Sequence, residues 1–352
     1  MNKILFIRRD NIGDLVCTTP AIRAVRLKFP QARIAVLVNS YNAGAVADNP
    51  DIDEVYVYEK EKHALSKGRL RVFMENLGVI RRIRKERFDA VVGCGYGYSA
   101  RVARFACLTG AGHRAGFVSG KKPMSRFLYN LRAEEPQEAI HEVEAVMRLV
   151  ALLGVSGPAP PLCVRPSEGE VKKVISHLKG LNPLRGQGYA GKAGLVVFHI
   201  SSRKPKNRWP KESFRELGGM IQKATGAEIL LLWSPGSFGN VLHPGDDEAA
   251  EWMSLSMDKR PFTFRTKSLA ELIAAMSLAS SVVCCDGGAM HIAAGLGKPI
   301  VTVWGTTERK RWAPWGVPHV ILQKEDGLAS AVNAKEAFDA FMDLTHREGS
   351  GR

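Results

Sequence analysis

The chain has 352 residues, 45% of them hydrophobic and 24% charged, with a formal net charge of +15 from 50 basic and 35 acidic residues. Such a length exceeds what one core usually serves, so two domains are expected. No apolar run is long enough to cross a bilayer, and the run at 4–7 stops at Arg8-Arg9-Asp10; this argues against a membrane-spanning chain and a secretory signal, and the expected compartment is the cytoplasm.

The six cysteines, at 17, 94, 107, 163, 284 and 285, form no C-x-x-C pair. They read as reduced core residues, with no zinc-ligand spacing. Cys284 and Cys285 are neighbours on an expected strand and point to opposite faces, against a redox couple. The basic excess suits a polyanionic partner (nucleic acid, an anionic lipid surface or a phosphorylated glycan) without choosing among them.

In chain order, Lys3 to Ile7 reads as a strand and residues 8–14 as a loop. Leu15 to Phe29 reads as a helix, kinked near Pro20 and closed by Pro30. Strands follow at Arg33–Val38 and Val55–Tyr58. This βαβ opening sets the 8–14 loop at the carboxyl end of the first strand, where open α/β sheets keep ligands. Gly13 is the loop's only glycine, so a dinucleotide fingerprint fails. Asp14 at the helix start is either a cap, the reading its residue type favours, or a general base at a cleft mouth.

Residues 60–87 carry ten lysines and arginines interleaved with apolar side chains, among them Leu70, Phe73, Met74 and Ile83. A loop and then a helix with a cationic side fits this pattern. It is either a solvated face or a contact for a membrane surface or phosphorylated acceptor. Phe88 to Gly93 is a strand, followed by a helix to about Leu108. Residues 113–132 add further cations, and Glu138 to Leu153 is a helix. Four prolines within 154–166 mark a linker.

The alternation then repeats. Helices are expected at 169–180, 211–225 and 268–279, strands at 194–200, 227–233 and near 261–264, and a long Gly/Pro loop at 234–247. The loop 199–210 sets Ser201 and Ser202 among four cations ahead of Trp209, a composition suited to a phosphate-bearing ligand. Ser281 to Cys285 is a buried strand, Asp286-Gly287-Gly288 a turn, 289–296 a helix and Ile300 to Val303 another strand. Two glycines before a helix N-terminus let a diphosphate approach free N–H groups and the positive end of the dipole. His291 lies in the first turn of that helix, where it can donate to a phosphate oxygen. Asp286 suits the turn's N–H groups or a sugar hydroxyl. A tight turn with a capping histidine is the plainer alternative. One more strand at 320–323, a closing helix at 333–346 and a disordered tail at 349–352 complete the expectation.

Three stretches together resemble glycosyltransferase family 9, the ADP-heptose:lipopolysaccharide heptosyltransferases. Ile7 to Leu15 with Thr19-Pro20-Ala21-Ile22 is similar to the family's N-terminal G-D loop and T-P-A helix. Ser201-Ser202 through Arg208-Trp209-Pro210 is similar to its donor loop. Asp286-Gly287-Gly288-Ala289-Met290-His291-Ile292-Ala293-Ala294, with Gly297-Lys298-Pro299, is similar to its D-x-G-x-x-H-x-A-A…G-K-P signature. The resemblance implies an α/β GT-B fold, two Rossmann-like domains whose parallel sheets face a central cleft. It implies inverting transfer of a heptose from ADP-heptose to the lipopolysaccharide inner core, with no metal and no other cofactor. It matches Asp14 to the catalytic aspartate, turning the cap reading into a base. It matches Ser201 and Ser202 to donor-contacting hydroxyls, and Asp286, Gly288 and His291 to the diphosphate and sugar contacts. Asn207 stands where a basic residue is usual, so Lys206 or Arg208 must substitute; Gly287 stands where threonine is frequent; the 234–247 loop is long.

The expected organisation is therefore an acceptor-binding domain over 1–157, a linker over 158–167, a donor-binding domain over 168–330, and a C-terminal helix and tail over 331–352. Arg8, Lys62, Arg69, Arg71 and Arg126 are the expected contacts to an anionic glycolipid acceptor at the inner membrane face, with peripheral membrane contact. The alternatives are a GT-B transferase using another nucleotide sugar, or a non-enzymatic polyanion binder. The latter lacks any RNP, KH or helix-turn-helix signature, so no nucleic-acid partner is expected.

Overall fold

The computed structural model describes residues 1–59, 68–178, 194–239 and 244–350. The chain divides into two compact units, Met1–Arg165 with Lys310–Trp315, and Pro166–Arg309 with Gly316–Arg352.

The first unit runs β1 (Lys3–Ile7), α1 (Ile12–Val16), α2 (Thr19–Lys28), β2 (Arg33–Asn39), β3 (Glu54–Tyr58), α3 (Arg69–Glu86), β4 (Ala90–Gly93), α4 (Ala100–Leu108), β5 (His113–Val118), α5 (Ser125–Leu128), β6 (Leu131–Glu134) and α6 (Glu142–Ala151). Among the described residues its strands form one six-stranded sheet, ordered β3-β2-β1-β4-β5-β6, with every pairing parallel. The central strands are apolar throughout because helices cover both faces. Right-handed crossovers set α3, α4 and α5 side by side on one face, and α2 with α6 on the other. Leu5, Ile7, Leu37 and Val91 meet Ile83 and Val102 beneath the first group.

The second unit runs α7 (Glu168–His177), β7 (Leu195–His199), α8 (Lys211–Thr225), β8 (Glu228–Leu232), α9 (Asp247–Ser256), β9 (Phe262–Phe264), α10 (Leu269–Ser277), β10 (Ser281–Cys285), α11 (Gly288–Gly295), β11 (Ile300–Trp304), α12 (Arg309–Trp312, mostly within the first unit's segment), β12 (His319–Gln323) and α13 (Ala334–Ser350). Its sheet, β12-β11-β10-β7-β8-β9, is likewise parallel and repeats the first order. Ala337, Phe341 and Leu344 of α13 close the core over Trp209 and Phe214.

In each sheet three strands grow outward one way, and the chain then returns to the middle and grows the other way. The strand order reverses between β1 and β4, and again between β7 and β10. Ligands of such sheets sit outside the carboxyl ends at these switch points. The loops after β1, β7 and β10 all leave from them.

Several expectations are corrected. The helix expected over 15–29 is two helices, broken at Cys17–Thr18, with Pro20 in the first turn of α2, where its missing N–H is harmless. β5 and β6 were not anticipated; the apolar run of β5 is interrupted by Arg114 and Gly116. Of the tail expected to be disordered over 349–352, the first two residues continue α13 to Ser350, and 351–352 lie outside the described residues. Cys107 is exposed and Cys163 half-buried, while the other four cysteines are buried.

Candidate active site

In the first unit, a candidate site is built on the loop after β1. Asn39 at the end of β2 donates to the Arg9 and Asp10 carbonyls at 3.1 Å, and Asn42 reaches the Asp10 carbonyl at 3.3 Å, fixing the loop's path. Asp14 enters the third position of α1. Its Oδ2 accepts from the Asn11 backbone N–H at 3.1 Å and the Asn11 amide at 3.2 Å. Its Oδ1 accepts from Arg8 Nη2 at 2.8 Å. The N-cap position foreseen for Asp14 belongs instead to Asn11; Asp14 stands at the third position and accepts from the cap residue with only one oxygen.

Arg8 is 1% exposed, and the same Nη2 donates to Oε1 of Glu142 at 2.6 Å, a carboxylate with 0% exposure at the start of α6. Glu142 Oε2 accepts from Arg311 Nε at 2.9 Å, and the Arg311 guanidinium lies 3.8 Å from the centroid of Tyr96. The first-turn amides of α6 and two cations compensate a fully buried carboxylate. Val143 N–H donates to His141 Nδ1 at 3.1 Å, so the proton of the neutral ring lies on Nε2, which donates to the Ala313 carbonyl at 2.9 Å. Trp315 packs against that ring with centroids 4.7 Å apart and the ring planes tilted by 37°. The 310–315 segment is therefore fastened to α6.

Charge on Asp14 follows from this setting. Burial pushes its pKa up, but the Arg8 guanidinium and the Asn11 donors pull it further down, so the carboxyl lies below the usual carboxylate range. Arg8 Nε stands 3.2 Å from Asp10 but off hydrogen-bond geometry, and Arg8 Nη1 has no hydrogen-bond partner among the described residues.

In the second unit, a separate group of candidate residues lies at the carboxyl ends of β7 and β10. Ser201 Oγ donates to Asp246 Oδ2 at 2.6 Å and accepts from Ser234 N–H at 2.8 Å. Ser202 Oγ donates to the Asp286 carbonyl at 3.1 Å. Arg208 pairs with Asp246 and donates to the Ser202 carbonyl at 2.6 Å. Asp286 Oδ2 accepts from Asn207 at 2.7 Å and from Thr307 at 2.6 Å. Among the described residues, no hydrogen bond reaches Asp286 Oδ1. Gly287 has a φ of +158°, a conformation that side chains rarely adopt, although a Cβ there would meet open space. Gly288 begins α11, whose first amides point past that opening. His291 is buried in the same helix.

The chain thus gathers Ser201, Ser202, Arg208, Asp286, Gly287, Gly288 and His291 at one switch point. Lys206, in the same loop, has an exposed side chain. Arg208 is held by Asp246, which leaves Lys206 as the exposed basic candidate. Arg8, expected among the acceptor contacts, is instead interior and committed to Asp14 and Glu142. Arg71 and Arg126 are exposed, paired with Glu75 and Glu134 at 3.0 and 2.7 Å. Lys62 and the side chain of Arg69 lie outside the described residues. Glu142, Arg311, Asp246 and Thr307 were missed; the only local signal was an acidic residue at a helix start for Glu142 and Asp246. Among the described residues no cluster of three or more His, Cys, Asp or Glu could hold a metal ion, and no helix is long and apolar enough to cross a membrane.

Comparison with known proteins gives this geometry its family. The family model for Glycosyltransferase family 9 (heptosyltransferase) matches residues 77–340. Lipopolysaccharide heptosyltransferase 1 of Salmonella typhimurium is 24% identical over 309 residues, 87% of this chain and 89% of that protein. A glycosyl transferase family 9 structure from Veillonella parvula superposes with a TM-score of 0.82 at 20% identity, covering 98% of each chain. E. coli heptosyltransferase WaaC, solved with ADP-2-deoxy-2-fluoro heptose, gives a TM-score of 0.74 at 20% identity over 97% of this chain and 99% of that one. The two Rossmann-like units are those of the GT-B fold, and the chain is a glycosyltransferase belonging to glycosyltransferase family 9 (heptosyltransferase).

Proposed function

We propose that this enzyme moves a heptose from ADP-heptose to an anionic lipopolysaccharide inner-core acceptor, with inversion and without a bound metal. The observation that carries the reading is Asp14, an ionised carboxylate at the first switch point with Arg8 holding one oxygen. An acceptor hydroxyl attacks the anomeric carbon as the bond to ADP breaks. Its proton passes to Asp14, and the electron pair of the broken bond leaves with ADP. A carboxylate of depressed pKa is a weak base, but the hydroxyl becomes strongly acidic once the new bond is largely formed, so proton transfer can come late.

The first unit, with linker 158–167 at its end, would bind the acceptor through Lys62, Arg69, Arg71 and Arg126, and Arg8 would position Asp14. The second unit would bind the donor. The diphosphate would lie over Gly287 and Gly288, meeting the α11 amides, His291 and Lys206, whose positive field stabilises the charge developing on ADP. Asp286 Oδ1 would accept from a sugar hydroxyl, with Ser201, Ser202 and Arg208 shaping the loop beside it. The family membership and the ADP-heptose analogue held by WaaC support this donor.

The test is mass spectrometry of products from the purified enzyme with ADP-heptose and truncated lipopolysaccharide acceptors. Addition of one heptose is expected. Turnover of a UDP-sugar with none of ADP-heptose would replace the donor, and salt-sensitive nucleic-acid binding with no sugar turnover would replace the activity itself.

A further inference from the structure

α3 carries more apolar surface than the fold uses. Val72 and Ile83 are buried, and Val79 and Ile80 pack on the same core. That stripe satisfies the helix's need for one apolar face. Yet Leu70, Phe73 and Met74, at helical spacing on the opposite side, are 76%, 61% and 55% exposed. The same side carries Arg81 and Arg84 further along, so only its first two turns are apolar.

Geometry puts those turns beyond the sheet. α3 has 18 residues and the strand before it 5, about 27 Å of helix against about 17 Å of strand. The last residue of α3 is pinned at the amino edge, where Glu86 accepts from Lys3 Nζ at 2.9 and 3.0 Å and from Arg33 at 2.8 Å. The surplus length therefore overhangs the carboxyl edge, the edge from which the Asp14 loop leaves. α5 follows β5 at that same edge and face of the sheet. Met124 and Phe127 there are exposed, with Lys121, Lys122 and Arg126 exposed around them.

Scattered exposed apolar residues need no explanation, whereas two apolar groups on one edge, with Arg71 beside the first and Lys121, Lys122 and Arg126 beside the second, do. We propose that this edge of the first unit is a docking surface for an anionic lipid bilayer. Leu70, Phe73, Met74, Met124 and Phe127 enter the boundary between headgroups and acyl chains, and the neighbouring lysines and arginines meet lipid phosphates. The net charge of +15 gives the complementarity. The exposed pairs Arg71–Glu75 and Arg126–Glu134 do not oppose it, since exposed ion pairs yield readily to a phosphate. The inference rests on the proposed glycolipid acceptor for its purpose: docking would bring the Asp14 edge to a substrate embedded in the membrane.

The test is co-sedimentation of the full chain with large unilamellar vesicles, without donor or acceptor, so that it stands apart from activity. Vesicles rich in phosphatidylglycerol should bind and pure phosphatidylcholine should not, with binding falling as salt rises. The combined variant Leu70→Ser, Phe73→Ser and Phe127→Ser, checked by its thermal unfolding, should lose at least about tenfold in vesicle affinity. The milder Phe73→Ala with Phe127→Ala should show a graded loss. Both should keep transfer to a delipidated acceptor. Failure of the wild type to bind either vesicle, or undiminished binding by the folded variants, overturns the proposal. So does a concentration-dependent dimer that the same substitutions abolish, which would give the surface to a second copy of the chain.

Discussion

The Asp14 carboxyl is drawn below its ordinary pKa chiefly by Arg8, which would leave it ionised for the proposed role of base. Replacing Arg8 by Met leaves only the Asn11 donors to oppose the burial of Asp14, and burial pushes its pKa up. The acid limb of the kcat/KM profile should lie below the ordinary carboxylate range in the wild type and move to higher pH in Arg8→Met. An unmoved limb would remove Arg8 from this role. His199 gives a separate pH dependence. Burial pushes its pKa down from 6.5 to about 4, and its Nδ1 has no partner among the described residues. Between those values the unfolded chain binds the proton and the folded chain does not. Stability is therefore full above about pH 6.5 and lost progressively toward pH 4, by up to about 3 kcal/mol. Urea unfolding from pH 7 to 4.5 should show a smaller loss in His199→Leu than in the wild type; equal losses would contradict the assignment. The contribution of Asp14 has the opposite origin and disappears only below the ordinary carboxylate range.

At the scale of elements, the donor loop depends on a close approach at the end of β11. A Cβ on Gly305 would meet the Lys206 carbonyl and Asn207 Oδ1 at 2.3 and 2.5 Å. Gly305→Ala should push the 205–207 turn away, loosen Asn207 from Asp286, and destabilise the protein by about 1–3 kcal/mol. Calorimetric titration with ADP should show weaker binding, and unchanged affinity in a folded variant would detach this turn from the donor site. The same loop shows what was legible beforehand. Ser201, Trp209 and the Asp286-Gly287-Gly288 turn announce themselves because strand-end chemistry is local. Asp246 does not, since its meaning depends on Ser201 and Arg208, 45 and 38 residues away. Glu142 is harder still: its partners Arg8 and Arg311 stand 134 and 169 residues distant. β5 escaped notice because Arg114 and Gly116 break the apolar run that marked the central strands. The break between α1 and α2 was half-legible: Pro20 signalled a disturbance, and the first-turn preference of proline explains its position.

At the scale of the whole molecule, the proposed reaction would divide the labour, with the base in the first unit and the nucleotide on the second. Leaving-group charge is assigned to α11, His291 and Lys206, so chelation with EDTA should leave the transfer rate unchanged; restoration of a lost rate by added magnesium would contradict that assignment. The division is tested most directly by the single-turnover rate of heptose transfer in Asp14→Asn at saturating donor, with ADP affinity measured on the same protein. The account predicts a fall of about 10²–10⁴-fold in transfer with ADP affinity unchanged. Transfer near the wild-type rate, or loss of ADP binding in a folded variant, would contradict it.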